Sequence, residues 1–207
     1  MHHNDGESRA RARSHVRILS QHEELPLLRD HLLRLDRSSR RDRFHGYMDD
    51  GFIERYAEKC ANDGTVIIAY FEDGVVRGAA ELHPPDQSSG LLPEIAFSVE
   101  ASVRRRGVGS FLFRQLIAKA QAKGYRSLRI TTGAQNQPMR ALAKKFGANL
   151  TFHHGESTGT IDLIEQNQPE SVPVGFQATL AAARAIANFN RAYWRMVLRM
   201  YGWGRAA

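Results

Sequence analysis

The stretch from Glu94 to Gly147 constrains this chain most, because it spells strand, turn, helix, strand and helix in unbroken succession. The run Ile95-Ala96-Phe97-Ser98-Val99 has the length and character of a buried strand. Beyond it stands Arg104-Arg105-Arg106-Gly107-Val108-Gly109, followed by Phe113, Leu116, Ile117 and Ala120 at helical spacing. A helix is therefore predicted over residues 110–123, closed by Gly124. The start of a helix presents unpaired amides at the positive end of its dipole, which suits a phosphate. Glycines at 107 and 109 let the backbone approach an anion without a Cβ in the way. The pattern points to a phosphate-bearing ligand.

The remaining elements fall around this run. Val16 to Ile18 reads as a strand, and Leu25, Leu28, Leu32 and Leu35 form a helical face with Pro26 in its first turn. Arg37 to Gly46 reads as a charged connection. A second helix starts at Asp49 or Asp50 and buries Phe52, Ile53, Tyr56, Ala57 and Cys60. Two apolar runs, 66–71 and 75–82, flank Glu72-Asp73-Gly74 as a hairpin. A strand over 127–132 precedes a helix carrying Met139, Leu142, Ala143 and Phe146. A last hairpin joins 149–153 to 160–164 around Gly155 to Gly159. The fold class is α/β, a mixed sheet with helices on its faces.

Residues 1–14 are polar and Arg-rich without periodicity, and are expected to be a disordered tail. Residues 15–166 form the domain, and 167–207 a linker followed by a basic amphipathic helix. That helix sets Phe176, Leu180, Ala183 and Ala187 against Arg184, Arg191, Arg195 and Arg199. Three uses remain open for it: packing on its own domain or on a second copy as a homodimer, binding an anionic membrane surface, or binding nucleic acid. The formal charge of +7 fits any of them. It is unevenly spread, since residues 1–43 hold ten arginines with seven acids, whereas the segment after Glu170 holds five arginines and no acid. Nucleic-acid binding rests on that charge alone. No apolar run approaches the roughly 20 residues that span a bilayer, and the charged N-terminus is not read as a secretory leader. One cysteine, Cys60, excludes an internal disulfide and suits a reducing cytoplasm.

Three kinds of glycine-rich turn hold phosphates. A dinucleotide-binding fingerprint needs a small residue where Leu112 stands, and a Walker loop needs a lysine that Gly109-Ser110 lacks. The third is the Arg-x-x-Gly-x-Gly turn. Taken together, Glu94-Ile95-Ala96-Phe97-Ser98-Val99, the Arg106-Gly107-Val108-Gly109 turn, the strand ending Thr131-Thr132, Asn136-Gln137-Pro138-Met139 and Phe146-Gly147 resemble the GNAT family of N-acetyltransferases. The likeness is greatest to bacterial domains of the protein lysine acetyltransferase type. It covers roughly residues 15–165 and is strongest in 94–150. The resemblance implies a twisted, mostly antiparallel sheet of six to seven strands, and acetyl-CoA as cosubstrate. It implies that Phe97, Ser98 and Val99 line the pantetheine arm, with the first and third bonding through their backbones. An open strand edge, splayed by a bulge, is expected there. Arg104, Arg105, Arg106, Gly107, Val108, Gly109 and Ser110 would hold the pyrophosphate, and Asn136 would lie beside the cofactor. Asn136 also reads as a helix cap.

Acetyl transfer to an amine needs a base, because an alkylammonium of pKa near 10 is no nucleophile. The resemblance assigns that role to Glu94, which on its own reads equally as a strand-end carboxylate or an arginine's partner. Glu81 and His83 are weaker candidates for the site. Many family members carry a tyrosine, as general acid, where this chain has Ala143. Either water protonates the departing thiolate, or the chain binds acetyl-CoA as a non-catalytic sensor or scaffold. The acceptor, a protein lysine or a small-molecule amine, would meet Arg37, Arg40, Arg41, Arg43 and His45, and His153, His154 and Glu156. His153-His154 lacks companion ligands, so no metal is expected.

Overall fold

The computed structural model describes residues 14–20, 23–85, 92–153 and 155–164. Predictions for the first 13 residues and for the segment 167–207, the basic helix included, lie outside these residues. Among the described residues seven strands form one sheet in the order β1-β2-β3-β4-β5-β7-β6. They are β1 Ser14–Ile18, β2 Val66–Glu72, β3 Val75–His83, β4 Glu94–Val99, β5 Ser127–Gly133, β6 Asn149–His153 and β7 Glu156–Asp162. Every neighbouring pair is antiparallel except β4 and β5. Five α-helices among the described residues cover it: α1 Leu25–Arg34, α2 Arg37–Phe44, α3 Asp50–Asn62, α4 Val108–Ala122 and α5 Gln137–Lys145.

The apolar alternation of β2 explains the layering. Val66, Ile68 and Tyr70 enter one core with Leu112, Phe113 and Leu116 of α4 and Ala143 of α5. Ile67, Ala69 and Phe71 enter the other with Leu28 and Leu32 of α1, Phe44 of α2 and Ile53 of α3. A strand buried on both faces reads as a continuous hydrophobic run, as Val66 to Phe71 does. Phe113 stacks between Phe97 and Phe146, with ring centroids 4.7 and 4.3 Å apart, and so binds α4 to β4 and to the end of α5.

Four readings of the sequence are corrected. Residues 37–44 are helical rather than a connection, capped by Asp36, whose side chain accepts from the Ser39 amide. With almost no apolar residues that segment carries no periodic signal, and tertiary bonds hold it. Strand β7 begins at Glu156, so the expected turn residues 156–159 are paired with β5. Gly159 is there because a Cβ would lie 2.3 Å from the Asn149 carbonyl oxygen of β6, not because the chain turns. Ser14, expected in the tail, opens β1 opposite Glu72. The bulge expected in β4 is absent, since its register with β3 runs unbroken from Glu94 to Val99.

Candidate active site

Strand β4 pairs with β5 at only two positions, Glu94 with Arg129 and Ile95 with Ile130, and then the two part. The divergence needs no bulge: β4 stays on β3 and runs into a single 3-10 turn at Ala101–Val103, while β5 follows β7 over its whole length. Two bonds fix which backbone groups face the opening. The Arg129 amide donates to the Pro93 carbonyl at 2.8 Å on the β5 side, and the Glu100 amide donates to Arg77 of β3 at 2.9 Å. Alternate residues of a strand direct their polar groups to opposite sides. Phe97 and Val99 therefore turn N–H and C=O toward the gap, and Ser98 turns its own toward β3.

The glycine-bearing turn between β4 and α4 follows at the end of that gap. Arg105 (φ 57°) and Gly107 (φ 83°) both adopt left-handed backbone, which reverses the chain into α4. The first helical bond is from the Phe111 amide to Gly107 at 3.0 Å, so the amides of Val108, Gly109 and Ser110 are the first-turn donors. A Cβ on Gly107 would meet nothing within 4 Å, whereas one on Gly109 would touch Leu142 of α5 at 3.4 Å. Gly107 thus serves conformation and clearance, Gly109 the packing of α5. Lys145 Nζ of α5 donates to Ser110 Oγ at 3.3 Å and adds a cation that the sequence pattern did not single out.

The three arginines of the turn part company. Arg104 is a tie, donating from Nε to the Val99 carbonyl at 2.9 Å and from Nη2 to Ser39 Oγ of α2 at 2.6 Å. Arg106 pairs with Glu72 at the end of β2 at 2.6 Å. Arg105 is exposed. Asn136 caps α5, its side chain accepting from the Met139 amide at 3.1 Å. Ala143 is fully buried in the core beneath α5.

Glu94 lies where the strands part, half-buried, with Oε2 accepting from Arg129 Nη2 at 2.7 Å. Its register partner on β3 is His83, on the same face of the sheet. Nearby, Glu81 is wholly buried and accepts from Arg43 Nη2 at 2.8 Å and from the Tyr56 hydroxyl. Burial alone would raise its pKa, but Arg43 and His83 outweigh it and hold the carboxyl well below the usual range. Burial pushes the neighbouring Cys60 thiol up, which leaves it an inert core group. His83 Nε2 lies 3.1 Å from Tyr56 Oη, and its Nδ1 lies 3.0 Å from Thr65 Oγ1. Ser98 points into a second buried set, its hydroxyl 2.9 Å from His31 Nε2, while His31 Nδ1 is 3.1 Å from Glu100 Oε1.

Helix α2 crosses this face above the parting strands. Ser39 ties it to Arg104, Arg43 to Glu81, and His45 to Glu156 of β7 at 3.0 Å. Glu94, Phe97 and Val99 thus stand along the parting of β4 from β5, Arg104 of the following turn is tied to the Val99 carbonyl, the Ser98 side chain turns away toward His31, and Asn136 is engaged as the cap of α5. Neither the Arg129 partner of Glu94 nor the role of α2 had a local signature, since both depend on strands and helices distant in sequence.

The model of the acetyltransferase (GNAT) family matches residues 31–148. Among solved structures, the GNAT domain of Streptomyces lividans PAT superposes with a TM-score of 0.61 at 19% identity, over 72% of this chain and 90% of that one. YncA from Salmonella typhimurium, a putative acetyltransferase solved with its cofactor acetyl-CoA, gives 0.55 at 16% identity, over 77% and 99%. PaiA N-acetyltransferase from Thermoplasma acidophilum, in complex with coenzyme A, gives 0.55 at 16% identity, over 72% and 99%. At these identities the structural likeness speaks for the fold.

Proposed function

This chain belongs to the acetyltransferase (GNAT) family, and from that premise we propose that it moves an acetyl group from acetyl-CoA to a primary amine, a protein lysine, with Glu94 as general base. The observation that carries the reading is the parting of β4 from β5 directly beside the amide-bearing start of α4. The pantetheine arm then lies along Phe97 and Val99 as an added strand, and the pyrophosphate takes the amides of Val108, Gly109 and Ser110. Arg105 and Lys145 add charge at the rim, and Asn136 offers its amide nitrogen to the cofactor.

Acetyl-CoA supplies an activated acyl group, and the chain supplies placement and proton handling. The Val99 amide faces the gap and donates to the charge developing on the acyl oxygen. Glu94 takes the proton from the ammonium of the acceptor, directly or through a water, while Arg129 fixes where its carboxylate points. With Ala143 buried in the core, water protonates the departing thiolate. A single buried thiol suits the reducing cytoplasm, where we place the protein. Among the described residues no helix is long and apolar enough to cross a membrane.

Release of free thiol from acetyl-CoA in the presence of a panel of proteins and amines tests the transfer. Glu94→Gln is expected to lower turnover by about 10²- to 10⁴-fold at unchanged acetyl-CoA affinity. Full turnover by this variant would remove Glu94 from the role. Acetyl-CoA uptake with no thiol release on any acceptor would favour a non-catalytic sensor or scaffold, the reading that Ala143 motivates.

A further inference from the structure

Helix α2 carries arginines on two sides, and only one side serves the cleft. Ser39 and Arg43 reach Arg104 and Glu81. Arg37 and Arg41, one turn apart, lie on the opposite side of the helix from Ser39. There they and Arg40 line a cavity of about 290 Å³, with Tyr47 at its wall and Leu35 and Met48 as apolar lining.

The cavity is strongly unbalanced in charge. Arg37 and Arg41 are exposed and form no ion pair among the described residues. Arg40 donates to Asp50 at 2.6 Å and to the Leu33 carbonyl, which fixes its guanidinium, and its Nε is buried without a partner. Asp36, next to Arg37, is taken up by Ser38 and Ser39, and Asp42, next to Arg41, is not among the residues that line the cavity. Arg37 lies over the Tyr47 ring at 5.4 Å, although that ring is itself 73% exposed. Three guanidiniums around a concave, part-apolar space with one carboxylate differ from a solvated charge run, which encloses nothing.

We infer that this cavity is an exosite for an acidic side chain of a protein acceptor, carried a few residues away from the lysine that is acetylated. The inference rests on the acetyl-transfer reading above. Guanidinium groups match carboxylates in planar, forked geometry. The thickness of α2, about 10 Å, separates the cavity from the cleft, and an extended peptide covers that distance in about three to four residues. A half-open hollow of this size admits one or two side chains, which fits a peptide better than the continuous backbone of a polynucleotide.

Fluorescence anisotropy with two labelled peptides tests it. One carries a single lysine with glutamates three and four residues away on both sides, and the other has glutamine at those positions. The protein is expected to bind the glutamate peptide about tenfold more tightly at low salt. The preference should shrink as sodium chloride is added, and vanish in the double variant Arg37→Gln, Arg41→Gln. Equal binding of the two peptides, or a preference kept by that variant, overturns the exosite. So does a preference lost instead in Arg105→Gln, Lys145→Gln, which would put the peptide at the phosphate turn. Calorimetry with acetyl-CoA, run alongside, separates the two failures: no uptake sinks the transfer reading and leaves the peptide result standing.

Discussion

Arg129 and Glu94 face each other across the one parallel pairing among the described strands, Nη2 to Oε2 at 2.7 Å, at the point where β4 and β5 separate. The arginine is nearly buried and the carboxylate is 29% exposed. Arg129→Met is expected to cost about 1–3 kcal/mol, because water solvates the abandoned carboxylate only in part. Glu94→Gln keeps an acceptor for the guanidinium, so its cost should stay below about 1 kcal/mol. Urea unfolding of the two variants checks the contrast. Equal losses would mean that Glu94 matters to this protein chiefly as a structural partner.

Gly107 holds a φ of 83° over open space. Gly107→Val is expected to lose about 1–2 kcal/mol of stability from left-handed strain. It should also lose most acetyl-CoA affinity, since the new side chain projects from the cap of α4. Calorimetric titration with acetyl-CoA, beside a melting curve, separates the two effects. Unchanged affinity would place the pyrophosphate elsewhere.

Glu81 and Arg43 form a buried pair, with the glutamate wholly shielded from water. Removing one partner strands a charge in the interior, so Arg43→Met should destabilise by about 3–5 kcal/mol. Arg43→Met combined with Glu81→Met should recover much of that loss, which a double-mutant cycle in urea measures. Additive losses would show that the pair is not coupled.

Acid stability carries its own signature. Burial would raise the Glu100 pKa, but hydrogen bonds from His31 and Arg77 prevail and lower it from 4.5 to about 2. A depressed carboxylate contributes stability above its unfolded pKa and loses it as pH falls through the folded one. The contribution of Glu100 should therefore be complete above pH 4.5 and disappear toward pH 2. Glu100→Gln should lower the melting temperature at neutral pH and flatten its decline across that window. An unchanged acid profile would mean that the His31–Glu100 contact does not form in solution.

How far the sequence could be read depended on the range of the signal. The hairpin at Glu72-Asp73-Gly74, the Gly107 reversal and the amphipathic faces of α1, α3 and α4 were legible, because each is set by residues within a turn or two of one another. The candidate site was legible for the same reason: strand, turn and helix from Glu94 to Ser110 are contiguous. Helix α2 was not, since Arg37–Phe44 has no apolar stripe and is held by Arg104, Glu81 and Glu156, which are remote in sequence. Nor did alternation alone tell that Gly159 marks a close strand approach.

What the sequence determined by itself was local: the periodicities that make strands and helices, the left-handed turn, and the amides that turn leaves unpaired. The tertiary structure alone decided that β4 leaves β5 after two residues, that Arg129 steers Glu94, and that Ser98 faces His31 rather than the gap. Those outcomes follow from which strands lie side by side and which layer each side chain enters, and no residue carries that information until the sheet has closed around it.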